Sequence, residues 1–410
     1  MKALFNVFFL KVAFACVLSC GSCGGEVTPA RPEYPVVKKG DTVSRTLLVY
    51  AMAENSISDF VSLDMNEMFK SAVFIPDDCR LFAFVDDSDP DFTPYICQFY
   101  NKNGISAKDT VVVFEKDFCS SDPVALADVL DLILTDYPTK DLDLIMWSHG
   151  NGWLRHHPKS ALHRSIGIDN GTNSYSDVST DVIEMEGLAA VLENLPVKVD
   201  RLMFDACFMQ SAEVAYALRN AAEWIIASPA EIPGDGAPYD KMVPLFFSPQ
   251  ATVCDIIDEY KNDYDASATG VVLSAVKAGN MQQLADATYE YVKKYFNKDS
   301  VVTLGGVFSY LRDGNGSYPA YYDMNAVMYD FLTEAEYLEW KLSFDAAVRY
   351  LNYSDRWYTA ILYSYIYVNS NVCGGISMYL PQEKSSKEKF NADLATTEWY
   401  SAAGWNETGW

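Results

Sequence analysis

Apolar and polar positions alternate in blocks along most of this chain. Residues 45–53 (RTLLVYAMA) form a continuous apolar run that ends in Glu54, Asn55 and Ser56. A run of that length with polar flanks predicts a buried strand feeding a loop. Apolar residues then recur at helical spacing over 57–69. A second buried strand is predicted at 80–85 (RLFAFV), closed by the acidic turn at 86–90 (DDSDP). Residues 94–100 and 110–114 read as strands of a smaller ribbon. Asp122 before Pro123 reads as an N-cap with proline at the first helical position, and the helical pattern runs to 135. Strand 142–147 (LDLIMW), helix 184–195, strand 198–204 (KVDRLMF), helix 209–220 and strand 224–228 complete the series. Buried strands alternating with helices predict an α/β fold, a mostly parallel sheet sandwiched by helices. Ligands of such sheets bind beyond the carboxyl ends of the strands.

From about residue 255 the pattern changes. Helical stretches are expected at 255–264, 280–296 and 334–351, and a glycine-led strand at 374–381 is ended by proline. Tyr and Trp are abundant here, and aromatics packing a helical layer explain them better than a sugar-binding platform. The expected organisation is an α/β core over 45–254 and an additional α+β region over 255–410 packed on it. Residues 1–19 differ from both. Lys2 heads a largely apolar run, interrupted by Lys11, that is too short for a membrane span and reads as a secretory signal. The following Val17-Leu18-Ser19-Cys20-Gly21 resembles a bacterial lipobox, which makes Cys20 the lipidation site and 20–44 a tether. The expected location is therefore outside the cytoplasm, lipid-anchored to the bacterial cell envelope, with membrane contact through that lipid only.

Charge narrows the partners. The 410 residues hold 56 acidic against 31 basic side chains, a formal −25. Nucleic acid is excluded, because phosphate neutralisation needs a net basic face. Adsorption to an anionic leaflet is disfavoured for the same reason, and a cationic partner fits. The chain has only four His and nine Cys, so chemistry based on either has few carriers. Without a CxxC pair beyond Cys20 and Cys23, no structural zinc site is expected.

Two of those carriers stand at predicted strand ends. Ser148-His149-Gly150-Asn151-Gly152-Trp153 follows strand 142–147, and Asp205-Ala206-Cys207-Phe208 follows strand 198–204. A Cys opening a helix gains from its positive end, which lowers the thiol pKa. A His across the cleft serves as acid toward a leaving amine and then as base toward water. Gly150 lets the backbone approach a substrate, and the amides of Gly150 and Cys207 are natural oxyanion donors. A single Cys or His of this kind is usually structural. The two together at adjacent strand ends point to acyl transfer.

SHGNGW after one apolar strand and DAC after the next resemble the clostripain family of cysteine peptidases, within the superfamily of caspases, legumain and gingipains. The likeness extends to Tyr50-Ala51-Met52-Ala53-Glu54-Asn55, to Ser228 with Pro233-Gly234-Asp235-Gly236, and more loosely to the segment starting at Cys373. It implies a caspase-like core, Cys207 as nucleophile, His149 as its partner and no fixed third member. It also implies cleavage of polypeptides after Arg or Lys, which needs an acidic pocket because a buried guanidinium requires a carboxylate. Asp205 and Asp235 match the positions expected to line that pocket. The alternatives are a carboxylate satisfying loop amides for Asp205 and a turn residue before Gly236 for Asp235.

Residues 154–165 (LRHHPKSALHRS) form a basic island with three of the four His and no acid. A solvated loop and a His-rich metal tract are two readings. The resemblance suggests a third, an activation loop cut by the enzyme itself at Arg155, Lys159 or Arg164, with the latter two preferred. The family's association with calcium draws attention to the acidic clusters 86–89 and 169–181, although neither follows a calcium-loop spacing. No metal ligand is assigned and no other cofactor is expected. The main alternative is a catalytically silent surface-binding lipoprotein of the same fold.

Overall fold

The computed structural model describes residues 40–410 apart from 92, 156–164, 172–181, 266, 268, 300–303 and 315. The expected signal peptide, Cys20 and most of the expected tether therefore lie outside the described residues. Strand β1 (Val43–Ala53) sits inside a large sheet because it is apolar on both faces. Leu47, Val49 and Ala51 enter one hydrophobic cluster, while Leu48, Tyr50 and Met52 enter the other. Its neighbours are β2 (Cys79–Asp87) and β5 (Thr139–Trp147), both parallel to it. Beyond β5 lie β6 (Val199–Asp205) and β7 (Ala222–Ala227), also parallel. Helices α1 (Ser58–Ser71), α5 (Tyr239–Phe247) and α6 (Val253–Asp265) cover one face. Helices α2 (Pro123–Asp136), α3 (Met185–Glu193), α4 (Ala212–Ala217) and α7 (Met281–Tyr295) cover the other. The Asp122 side chain caps α2 by accepting from the Val124 amide at 2.8 Å.

Three expectations are corrected. The ribbon at 94–114 is not separate: β3 (Tyr95–Lys102) pairs antiparallel with β2, and β4 (Ile105–Val113) with β3, so both extend the main sheet. Ile96, Cys97 and Phe99 are buried, which leaves no exposed edge at β2. Division at 254 does not follow the sheet either. Strand β8 (Val272–Lys277) pairs antiparallel with β7, and β11 (Val348–Tyr353) with β8. Among the described residues this makes a nine-stranded sheet ordered β11-β8-β7-β6-β5-β1-β2-β3-β4. Third, the helical pattern at 209–220 yields only α4, whose N-cap is Ser211, and the helix expected to 351 gives way to β11 at Val348. Small strands β9 (Ser309–Leu311) and β10 (Tyr321–Asp323) lie in a separate sheet. Trp340, Trp357, Trp399 and Trp405 are fully buried, consistent with core packing.

A charged network ties the sheet together away from its carboxyl ends. Asp143 of β5 receives Arg201 of β6 at 2.8 and 2.5 Å and Arg45 of β1 at 2.8 Å. Arg201 also donates to the Phe246 carbonyl at 2.7 Å, so the buried ions are paired and hydrogen-bonded. Among the described residues, Cys79, Cys97, Cys207, Cys254 and Cys373 are free thiols. No helix among the described residues is long and apolar enough to cross a membrane.

Candidate active site

Trp147 and Asp205 are register partners at the ends of β5 and β6. His149 and Cys207 each lie two residues further on, so parallel pairing alone brings their segments together. Gly150 is the contact point: a Cβ there would sit 2.7 Å from the Cys207 carbonyl oxygen and 3.0 Å from Ala206 Cβ. Any larger residue would push the two loops apart. Gly152, with φ +69°, plays the same part against the Phe208 carbonyl. Tyr321 closes the assembly from β10. Its ring stacks on Phe208 at 4.4 Å, and its hydroxyl donates to the Asn151 carbonyl at 3.2 Å.

The His149 ring is held from the loop that follows β1. Nε2 lies 2.9 Å from Ser56 Oγ, and the His149 carbonyl accepts the Gly167 amide at 3.1 Å. Ser148 braces the same loop by donating to the Met52 carbonyl at 2.8 Å while its oxygen accepts from the Ile168 amide at 3.2 Å. Ser56 was not among the expected site residues; its position directly after the β1 apolar run is the signal that could have found it.

Cys207 departs from expectation. It does not open a helix: Phe208 adopts φ +61°, and α4 starts only at Ala212. The helix-dipole argument for a lowered thiol pKa therefore fails. Burial, followed by the nearby Glu231 carboxylate, pushes the Cys207 thiol up to about 12, against a hydrogen bond from the Ile232 amide at 3.4 Å. The resting group is a neutral thiol.

Next to it lies an acidic layer contributed by three segments. Asp205 is only 3% exposed. Its Oδ2 accepts from the Ala237 amide and the Tyr239 hydroxyl, both at 2.9 Å, and its Oδ1 from the Tyr260 hydroxyl at 3.2 Å. Burial raises its pKa while these three donors pull it back. Asp64 of α1 faces the same spot and accepts from Trp147 Nε1 at 2.8 Å. Burial and the Asp205 charge push Asp64 up to about 9, so it is protonated at neutral pH. Gly236, φ +70°, lies between them: a Cβ there would meet Asp205 Oδ2 at 3.0 Å and Asp64 Oδ2 at 3.4 Å. Asp235, in the same loop, is exposed and acts electrostatically on Asp64. Asp205 and Asp235 are thus brought to one place, with Asp205 sealed beneath the 233–237 loop. Asp64 was missed, although an acid within the buried positions Val61, Asp64, Met65 and Met68 of one helix was its signature. Arg155 is described and engaged, with Glu186 at 3.0 Å and Thr396 at 2.5 Å. Lys159 and Arg164 lie outside the described residues.

A model of the clostripain family matches residues 49–410. The chain is 28% identical over 223 residues to clostripain of Hathewaya histolytica, a match that spans 48% of this chain and 41% of that protein. Among solved structures, it resembles a secreted C11 cysteine protease from Bacteroides thetaiotaomicron in complex with an irreversible peptide inhibitor. There the TM-score is 0.76 and the identity 28%, covering 88% of this chain and 99% of the other. It also resembles an inactive zymogen C11 protease from Parabacteroides distasonis, with a TM-score of 0.73, 26% identity, and 89% and 99% of the two chains covered. The sheet, the His149 and Cys207 loops and these matches agree, and the chain belongs to the clostripain family of cysteine proteases.

Proposed function

We propose that this chain is an exported cysteine endopeptidase that cleaves polypeptides after Arg or Lys, made as a latent form that activates itself. The observation carrying the reading is the meeting of the His149 and Cys207 loops beside the Asp64, Asp205 and Asp235 carboxylates. The neutral thiol makes proton removal part of the reaction. His149 takes the proton as Cys207 Sγ attacks the scissile carbonyl carbon, and the oxyanion is received by the amides of Gly150 and Cys207. His149 then protonates the leaving amine and activates the water that hydrolyses the thioester. Asp235 meets the basic side chain at the surface, and Asp205 pairs with it once the 233–237 loop lifts away from Asp205.

A sealed pocket and a high thiol pKa suit a latent enzyme, and one similar structure is of an inactive zymogen. Because Arg155 is tied to Glu186 and Thr396, the cut is assigned to Lys159 or Arg164. Export fits the secreted relative and the apolar N-terminus, with Cys20 as lipid anchor. On incubation, the wild type should split, with a new N-terminus at Ser160 or Ser165, and then hydrolyse Arg- or Lys-linked reporter peptides. Cys207→Ala should stay full length and inactive. A wild type that remains intact rejects self-processing, and processed, reduced protein without hydrolysis rejects the peptidase.

A further inference from the structure

An apolar turn stands beside the Cys207 loop. Strands β12 (Arg356–Thr359) and β13 (Ser364–Tyr367) form an antiparallel hairpin closed by Ala360-Ile361-Leu362-Tyr363. Hairpin turns are ordinarily built from Gly, Asn, Asp and Ser, which supply positive φ and local hydrogen bonds. This turn contains none of them, and Tyr363 takes φ +49° while 85% exposed. A bulky residue in that conformation is strained, so the turn must be held by what surrounds it. Trp357 anchors β12 against Phe308 and Tyr310, and the Tyr358 amide donates to the Thr269 carbonyl at 2.7 Å. Glu231 fixes the turn itself, its Oε1 accepting the Ala360 amide at 3.1 Å. The same segment holds the nucleophile loop. The Phe208 amide donates to the Ala230 carbonyl at 2.9 Å, and the Ile232 amide reaches Cys207 Sγ at 3.4 Å. Ile361, Leu362, Tyr318 and Cys207 all pack, half-buried, on the cluster around Phe208 and Trp357. Burial and then the charges of Glu231 and Cys207 raise the Tyr318 pKa, as expected of neighbours in one cleft.

We propose that Ile361 and Leu362, set in place by Glu231, form an apolar subsite for an aliphatic side chain on the residue preceding the basic one. The inference rests on the proteolytic reading and narrows its substrates. An extended peptide turns successive side chains to opposite sides. The acidic layer belongs to the face covered by α1, α5 and α6, whereas the turn packs on a separate cluster. With the basic side chain directed to Asp205 and Asp235, the adjoining side chain points away from them. Strand order decides which neighbour it is. His149, which protonates the leaving amine, follows β5, and Glu231 follows β7, with β6 and Cys207 between them. The leaving segment therefore lies toward β5, and the acyl segment toward β7 and the turn. An aliphatic side chain gains there by covering apolar surface, while a polar one of the same size gives up hydrogen bonds to water. Glu231 is a positioning residue, acting through the turn.

The test uses processed, reduced protein and internally quenched peptides that differ only in the residue before Arg, either Leu or the near-isosteric Asn. The wild type should favour Leu by about tenfold or more in kcat/KM. Combining Ile361→Ser with Leu362→Ser should bring that ratio below about threefold, while the preference for Arg over citrulline persists. Glu231→Ala should lose the Leu preference in the same way. Glu231→Gln, which keeps an oxygen for the Ala360 amide, should retain it. If the double variant does not fold, the two Glu231 variants carry the test by themselves. Equal rates on the Leu and Asn peptides, from a wild type that still cleaves after Arg, overturn the subsite and leave the peptidase standing. An undiminished Leu preference in the double variant or in Glu231→Ala overturns it equally. No hydrolysis of any peptide rejects the proteolytic reading and the subsite with it.

Discussion

Two groups of buried carboxylates share one sheet and are finished differently. Asp143 is closed: two arginines reach it, and its partners Arg45 and Arg201 come from the strands on either side. The groups at the carboxyl ends are open. Asp205 is satisfied by an amide and two tyrosine hydroxyls, Asp64 stays protonated at neutral pH, and Asp86 keeps an oxygen without a donor among the described residues. The first arrangement needs nothing further. The second gathers acid where no described residue supplies a cation, at the sheet end where ligands of α/β proteins arrive. That difference sets structural acid apart from the acid to which the proposed function assigns a basic side chain.

The contrast can be broken from the closed side first, where the largest effect is expected. Arg201→Ala strips Asp143 of its bidentate partner and should cost about 3–5 kcal/mol in urea unfolding, because a buried charge loses its main compensation. A loss below about 1 kcal/mol would mean that Asp143 is no more closed than the other groups. A smaller effect separates Asp64 from Asp143. Folded Asp64 keeps its proton up to about pH 9, whereas the unfolded chain releases it near 3.8. Its contribution to stability is therefore full below that lower value and is lost progressively as pH rises to about 9. Asp64→Asn cannot ionise, so its melting temperature should fall less than that of the wild type between pH 5 and 9. Parallel curves for the two proteins would show that Asp64 is ionised like any surface acid.

What the sequence disclosed, and what it hid, follows the same division. The strands of the parallel core were legible because each is a continuous apolar run, and α2 because Asp122 and Pro123 mark its start. That the His149 and Cys207 segments are neighbours was legible because each lies just beyond such a run. The outer strands were harder: β8 and β11 come from the aromatic C-terminal region, and only pairing in space joins them to the sheet. The thiol pKa was misjudged because helical periodicity at 209–220 hid the turn at Phe208, which delays α4 to Ala212. The Glu54, Asp86 and Asp117 group, with one oxygen from each within 4.8 Å of the others, was illegible as a unit, since its members belong to three segments that meet only when β1 and β2 pair. Asp64 hid in a helix as an ordinary acid, and only the packing of α1 under Trp147 reveals its surroundings.

The central claim is that the acidic layer at the carboxyl ends reads a basic side chain beside Cys207. Reporter peptides that differ only by Arg or its neutral isostere citrulline test it most directly, with kcat/KM measured for processed wild type and for processed Asp205→Asn. The wild type should prefer Arg by about 10²–10³-fold, the scale of losing one partner of a buried ion pair, and the preference should fall below about tenfold in the variant. Equal rates on the two reporters with wild-type protein, or an undiminished preference in Asp205→Asn, would contradict the account.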